Sequence, residues 1–276
     1  MSELVAIDHV SITAEGPTLS LGIDPGQWVG IYGPASSGKS VLLRQIEGAE
    51  RPAQGTITRH AEPAVPYSNS DIKRSRPRVL ARYGKGQNSS ALATELLLAT
   101  RLWDDRNKLT SELSSSQVAA AKLLGALASD SKLILLDGHL DSLDPWTLRS
   151  VIDYLRRLRS RGVALVAVTN RLELGTEFDA LVVMSKGNIR FAGSPAELIR
   201  KTESHEFTVS AKDHTGVRAL VSPFSVSVQQ VGEDLCIRAA EGQEIAARLL
   251  LEGYGNVQHL LYRAPTVPEA LLNLIR

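Results

Sequence analysis

Cysteine is almost absent from this chain: Cys236 is the only one among 276 residues, so no disulfide can form within it. Its apolar neighbours Leu235 and Ile237 predict a buried thiol, and such sparing use of cysteine suits a reducing compartment. Apolar runs approaching the roughly eighteen residues needed to cross a bilayer are also missing. The N-terminal Met1-Ser2-Glu3-Leu4 has neither the basic region nor the apolar stretch of a secretion signal. A cytoplasmic chain is therefore expected. Charge of one sign is lacking too. The formal net charge is +1 with both signs mixed along the chain, which leaves no electrostatic footprint for nucleic acid. One basic run, Lys73-Arg74-Ser75-Arg76-Pro77-Arg78, reads as a solvated loop or as a phosphate or partner contact. The tail histidines His205, His214 and His259 lack metal-ligand spacing.

What is present is 43% hydrophobic content, enough for one large domain or for one with a small appendix. The sharpest motif is Gly33-Pro34-Ala35-Ser36-Ser37-Gly38-Lys39-Ser40, which fits the phosphate-loop pattern at every fixed position. An apolar run, Trp28 to Tyr32, precedes it and a helical pattern, Val41 to Ile46, follows, so its context is strand, loop, helix. Glycines let backbone N–H groups turn towards a phosphate, and the helix opening near Lys39 adds the positive end of its dipole. Lys39 is expected on the β- and γ-phosphates of a nucleotide, and Ser40 on Mg²⁺.

Further strand-like runs recur at Val5–Ile7, Arg78–Ala81, Leu133–Leu136, Val163–Val168 and Leu181–Met184. Several are apolar on successive residues, as in strands covered on both faces. Helical patterns lie between them, notably Gln117–Ala128, Trp146–Arg161 and Ala196–Lys201. From about Glu203 the pattern changes to short strands, at Phe207–Ser210, Ser225–Val228, Leu235–Arg238 and Val257–Leu261, with helices at Glu241–Leu251 and Val267–Ile275. The expected fold is α/β, with a nucleotide-binding domain over 1–202 and a small α+β domain over 203–276.

The order of motifs from Leu4 to Lys201 resembles the ATPase subunits of ABC transporters. Leu113-Ser114-Ser115-Ser116-Gln117 stands where that family has L-S-G-G-Q, and Leu133 to Asp137 is similar to its Walker B strand. Ser142-Leu143-Asp144 resembles the D-loop, and Val168-Thr169-Asn170 the end of the strand that normally carries a switch histidine. The resemblance implies a P-loop fold of ABC type with a mixed or parallel central sheet and a helical subdomain, here shortened to about 83–126. It implies ATP and Mg²⁺ as cofactors, with Ser40 and Asp137 on the metal. It also implies that Ser114, Ser115, Ser116, Gln117 and Asp144 face the nucleotide of a second subunit.

Several positions depart from the family pattern. The glutamate expected after Asp137 is Gly138, so the general base is missing, a loss typically worth about 10²–10⁴ in rate. The switch histidine is Asn170, which donates a hydrogen bond but exchanges no proton near neutral pH. Ser116 replaces a glycine and is expected to loosen the approach to nucleotide. Ile12 to Gly16 offers no aromatic for adenine, and Arg82 to Gly86, with Gln87, fits the Q-loop poorly. His139 reads as a loop residue or a relay to water, and Asp141 as a D-loop residue or the acceptor of an Asx turn. The tail, ending Ala264-Pro265-Thr266-Val267-Pro268-Glu269, is loosely similar to the C-terminal extension of drug-export and gliding-type ABC ATPases. Together these imply a degenerate subunit, peripheral on the inner face of the cell membrane. It would bind MgATP with impaired hydrolysis and pair with an intact ATPase and a transmembrane permease. A slow homodimeric ATPase and a non-hydrolysing scaffold stay open as alternatives.

Overall fold

A computed structural model describes residues 3–13, 16–82, 90–202 and 205–275. The Q-loop positions Tyr83 to Gly86 and Gln87, the hairpin residues Ala14 and Glu15, and the expected domain boundary at Glu203 lie outside the described residues. Two compact units emerge, dividing at Ser194 and Pro195.

The first unit runs β1 (Val5–Ser11), β2 (Leu19–Ile23), β3 (Trp28–Tyr32), α1 (Lys39–Glu47), β4 (Gln54–Arg59) and β5 (Pro63–Ala64). Three short helices follow, α2 (Asn69–Ile72), α3 (Pro77–Arg82) and α4 (Ser90–Ala99), and then α5 (Ser115–Leu127). It closes with β6 (Leu133–Asp137), α6 (Pro145–Ser160), β7 (Ala164–Val168), β8 (Ala180–Ser185) and β9 (Asn188–Gly193). Six strands form the central sheet in the order β5-β6-β7-β3-β8-β9, parallel except for β9. β3 and β7 are buried at every residue, which explains why their sequences read as continuous apolar runs and not as alternation. A separate antiparallel sheet, β2-β1-β4, shares one apolar core with the central sheet and α1: Val5, Ile7, Leu42, Ile46, Val29, Leu135 and Val166 are all in it.

Arg78–Ala81 is helical, contrary to the strand expected from its apolar letters. Pro77 occupies the first helical position, where its fixed φ and missing N–H do no harm. Leu80 and Ala81 are buried while Arg78 and Arg82 are exposed, the i, i+4 pairing of one outward helix face. Propensity for strand loses here to a start signal and to tertiary contacts, with Arg78 N donating to Arg106 O and Thr110 N to Ser75 O.

The second unit contains α7 (Pro195–Thr202), β10 (His205–Ala211), α8 (His214–Val221), β11 (Val226–Val231), β12 (Asp234–Ala239), α9 (Gly242–Leu251), β13 (Val257–Arg263) and α10 (Val267–Ile275). Its antiparallel sheet has the order β11-β12-β10-β13, the split β-α-β-β-α-β arrangement. All four expected strands and both expected helices form. Helix α8 is an addition, started by Asp213, whose side chain accepts from the N–H groups of Thr215 and Gly216. Cys236 is only half-buried, which corrects the expected core thiol. Its neighbours Leu235 and Ile237 are in the core of this unit, and in a strand successive side chains point to opposite faces.

Candidate functional site

Strands β6, β7 and β3 are consecutive neighbours in one parallel sheet, so their carboxyl ends bring three loops together, the usual ligand position in such sheets. These loops are Gly33–Ser40 after β3, Gly138–Asp144 after β6 and Thr169–Arg171 after β7. Backbone bonds hold them in register: Thr169 N donates to Ile31 O at 3.2 Å and Gly138 N to Val168 O at 2.9 Å.

The first loop has the shape a phosphate cradle needs. Gly33 passes so close to β8 that a Cβ there would lie 2.3 Å from Met184 O. Ser36 and Gly38 both take positive φ, 60° and 97°, which turns successive peptide N–H groups inward. A depression of about 220 Å³ is lined by Ser36, Ser37, Gly38, Lys39, Ser40 and Val41. Lys39 is 9% exposed, and its Nζ donates to Gly33 O and Pro34 O, both at 2.7 Å. Burial pushes the lysine pKa down, while the carboxylates of Asp137 and Asp141 oppose the shift. The buried hydroxyl of Ser37 has no hydrogen-bond partner. An orphan hydroxyl, a buried ammonium and a helix N-terminus around one hollow fit a phosphate group. Ser40 and Asp137 are the residues that would hold Mg²⁺. An ion of that kind keeps several waters and needs only one or two protein ligands besides phosphate, so the lack of any larger metal cluster among the described residues is consistent with it.

The loops after β6 and β7 are built differently. Gly138 has φ of 67°, and a Cβ there would meet nothing within 4 Å. The position is thus not closed by crowding. It is the left-handed backbone that suits glycine, and it starts a turn in which Asp141 N donates to Gly138 O at 3.1 Å. Asp141 is not the acceptor of an Asx turn. Its carboxylate reaches across to the end of β7 and accepts from Thr169 Oγ1 at 2.5 Å, Asn170 N at 2.9 Å and Asn170 Nδ2 at 3.1 Å. Asn170, at the switch position, therefore spends a side-chain donor on Asp141. His139 is neutral in character: burial, and then the Lys122 ammonium, push its pKa down, with Asp137 opposing. Its Nδ1 is buried without a partner.

The signature residues sit at the start of α5. Ser114 Oγ accepts from Gln117 N at 3.3 Å and Gln117 Oε1 accepts from Ser114 N at 3.0 Å, a capping box. Gln117 Nε2 also donates to Asp105 at 2.5 Å. Ser116 lies in regular helix and needs no glycine backbone, so the expected loosening has a different outcome. Its Oγ donates to Asp144 Oδ2 at 2.7 Å and accepts from Asp144 N at 2.9 Å. Asp144 caps α6 through the N–H groups of Trp146 and Thr147. The Thr147 backbone and hydroxyl, followed by Ser116, hold its carboxyl far below the usual range. Ser114 and Ser115 stay exposed.

Sequence reasoning missed two groups. The sequence around Asp141 points only to its own loop, and no local pattern marks Arg171. Arg171 Nε donates to Leu140 O at 3.1 Å, and its Nη2 donates to Asp141 O and Leu143 O. Both act across some 30 residues of chain, a distance at which no local pattern signals a partner.

Comparison with known proteins places this geometry. Residues 17–140 match the model of the ABC transporter family, and the fold is the α/β P-loop fold seen in ABC ATP-binding cassettes. It is 28% identical to the Nod factor export ATP-binding protein I of Rhizobium meliloti (strain 1021), over 98% of this chain and 88% of the relative. It is 29% identical to the methionine import ATP-binding protein MetN of Corynebacterium jeikeium, over 66% of this chain and 56% of that one. Among solved structures, a bacterial Atm1-family ABC exporter with ATP bound superposes with a TM-score of 0.63 at 18% identity, over 71% of this chain and 40% of that one. An ATP-binding cassette solved as a dimer with ADP and Pi gives 0.59 at 20% identity, over 69% of this chain and 98% of that one. No helix among the described residues is long and apolar enough to cross a membrane.

Proposed function

We propose that this chain is the degenerate ATP-binding subunit of an exporter-type ABC transporter. It holds MgATP with impaired hydrolysis and pairs with an intact ATPase subunit and a membrane permease on the inner face of the cell membrane. One observation carries the reading: a complete phosphate cradle, with Lys39 and the orphan Ser37 hydroxyl, stands beside a Walker B strand whose next residue is a glycine in left-handed backbone. Binding groups are kept and the general base is missing. The engagement of Asn170 by Asp141 supports the same division, since an amide that donates to a carboxylate has less to offer a phosphate.

A homodimer would carry these defects in both of its sites, which favours an intact partner. Of the residues proposed to face that partner's nucleotide, Ser114 and Ser115 are exposed at the positive end of α5. Ser116, Gln117 and Asp144 are tied within the chain and act by shaping that surface. The export-type assignment is supported by the Nod factor export relative, whose alignment takes in nearly the whole chain, including the second unit.

The test is nucleotide binding and turnover by the purified chain, followed by co-purification from its host. Saturable MgATP binding without turnover is expected, and Lys39→Ala should weaken it about ten- to a hundredfold, the worth of hydrogen bonds to a charged group. An intact ATPase should accompany the chain. Turnover by the isolated chain that vanishes in Lys39→Ala would replace the proposal with a slow homodimeric ATPase. Failure to bind nucleotide would leave a scaffold.

A further inference from the structure

Arg171 occupies an unusual position between the three loops. Its backbone carbonyl accepts from Tyr32 Oη at 3.2 Å, and Tyr32 immediately precedes the phosphate loop. Its backbone N–H donates to Thr169 Oγ1 at 3.1 Å, the hydroxyl that itself binds Asp141. Its guanidinium, 21% exposed, grips the carbonyls of Leu140, Asp141 and Leu143. The next residue, Asp144, is bonded in both directions to Ser116 in the first turn of α5. A series of hydrogen bonds therefore runs from the end of β3 to the exposed Ser114–Ser115 surface; the Asp141 carboxylate also ties the 140–143 loop to the β7 end, but it is Arg171 that reaches Leu143 O, in the peptide that leads into Asp144.

We infer that Arg171 is a positioning residue that fixes the 140–144 loop to the nucleotide end of β7, so that nucleotide in the phosphate loop sets the order of the α5 N-terminus through Asp144 and Ser116. The inference rests on the nucleotide-binding reading for its ligand, but its geometry does not. The chemistry suits arginine in particular. Three carbonyls arranged around one planar group need a rigid fork of donors, which a lysine ammonium cannot reproduce. The plainer alternative is that the buried side chains of Leu140 and Leu143 and the bonds of the Asp141 carboxylate to Thr169 and Asn170 place the loop by themselves and Arg171 merely satisfies its carbonyls. In that case nucleotide would have no handle on α5 through Arg171.

Amide hydrogen exchange with and without MgATP separates the two. In the unaltered chain MgATP should slow exchange over residues 114–118 and 140–144. In Arg171→Met the affinity for MgATP should change by less than about threefold while exchange over both segments rises about tenfold or more, the loss of charge-assisted hydrogen bonds, and the nucleotide-dependent slowing at 114–118 disappears. Arg171→Lys should restore only part of it. Ser116→Ala, a milder change, should keep the protection at 140–144 and lose the response at 114–118. Full nucleotide-dependent protection at 114–118 in Ser116→Ala overturns the inference, and that arm decides alone if Arg171→Met fails to fold. If the unaltered chain binds no MgATP, the functional proposal fails separately. The nucleotide-free arm then decides: faster exchange at both segments in Arg171→Met supports the relay, and unchanged exchange at 114–118 refutes it.

Discussion

At the scale of single residues, Gly138 shows how sequence and backbone combine. Its letter leaves the position after Asp137 without a carboxylate, and its φ of 67° makes a side chain there costly. Because no atom lies within 4 Å of a Cβ there, Gly138→Ala should cost about 1 kcal/mol from backbone conformation alone, and Gly138→Asn less, both read by urea unfolding. Gly138→Glu should pay the same strain and recover far less than the 10²–10⁴ of a positioned base, since the turn to Asp141 and the engaged Asn170 are unchanged; phosphate release measures this. His139 gives a pH-dependent expectation. Its pKa is depressed below the ordinary 6.5 by burial and Lys122, so the folded form stays neutral where the unfolded chain takes up a proton. Stability is therefore unaffected above about pH 6.5 and falls as pH drops below it. His139→Gln should flatten that part of a stability profile recorded from about pH 7.5 to about 5.5.

At the scale of elements, helix α5 is decided by its N-terminal cap and one close contact. Its capping box was readable as Ser114 followed three residues later by Gln117, and Ser114→Ala should destabilise by about 1 kcal/mol. Gly125, within the same helix, points the other way. Helix propensity alone favours alanine there by about 1 kcal/mol, but a Cβ would stand 2.8 Å from Tyr67 N, whose N–H donates to Lys122 O at 2.9 Å. Gly125→Ala should therefore lower the thermal midpoint, not raise it. The same conflict between local preference and tertiary contact made Arg78–Ala81 a helix, whereas Cys236 lies on the face opposite its apolar neighbours because side chains alternate along a strand.

At the scale of the whole molecule, the apolar core around β1, β3 and α1 and the core around β10 and β12 share no residue, and no sheet draws strands from both units. Leu235, fully buried in the second core, offers a separation test. Leu235→Ala should cost the second unit about 2–5 kcal/mol and leave MgATP affinity unchanged, which denaturant unfolding and nucleotide titration would show together. The phosphate loop, the central strands and the change of pattern near the second unit were all legible in the sequence, because each depends on neighbours only a few residues away. The glycine after Asp137 and the asparagine after Thr169 were legible for the same reason, as letters out of place in a local motif. What those letters do was decided by tertiary structure. Asp141 meets Asn170, Arg171 meets three carbonyls and Ser116 meets Asp144 only because parallel strands set side by side bring distant loops to one edge, and hydrogen bonds depend on distance in space where sequence patterns report distance along the chain.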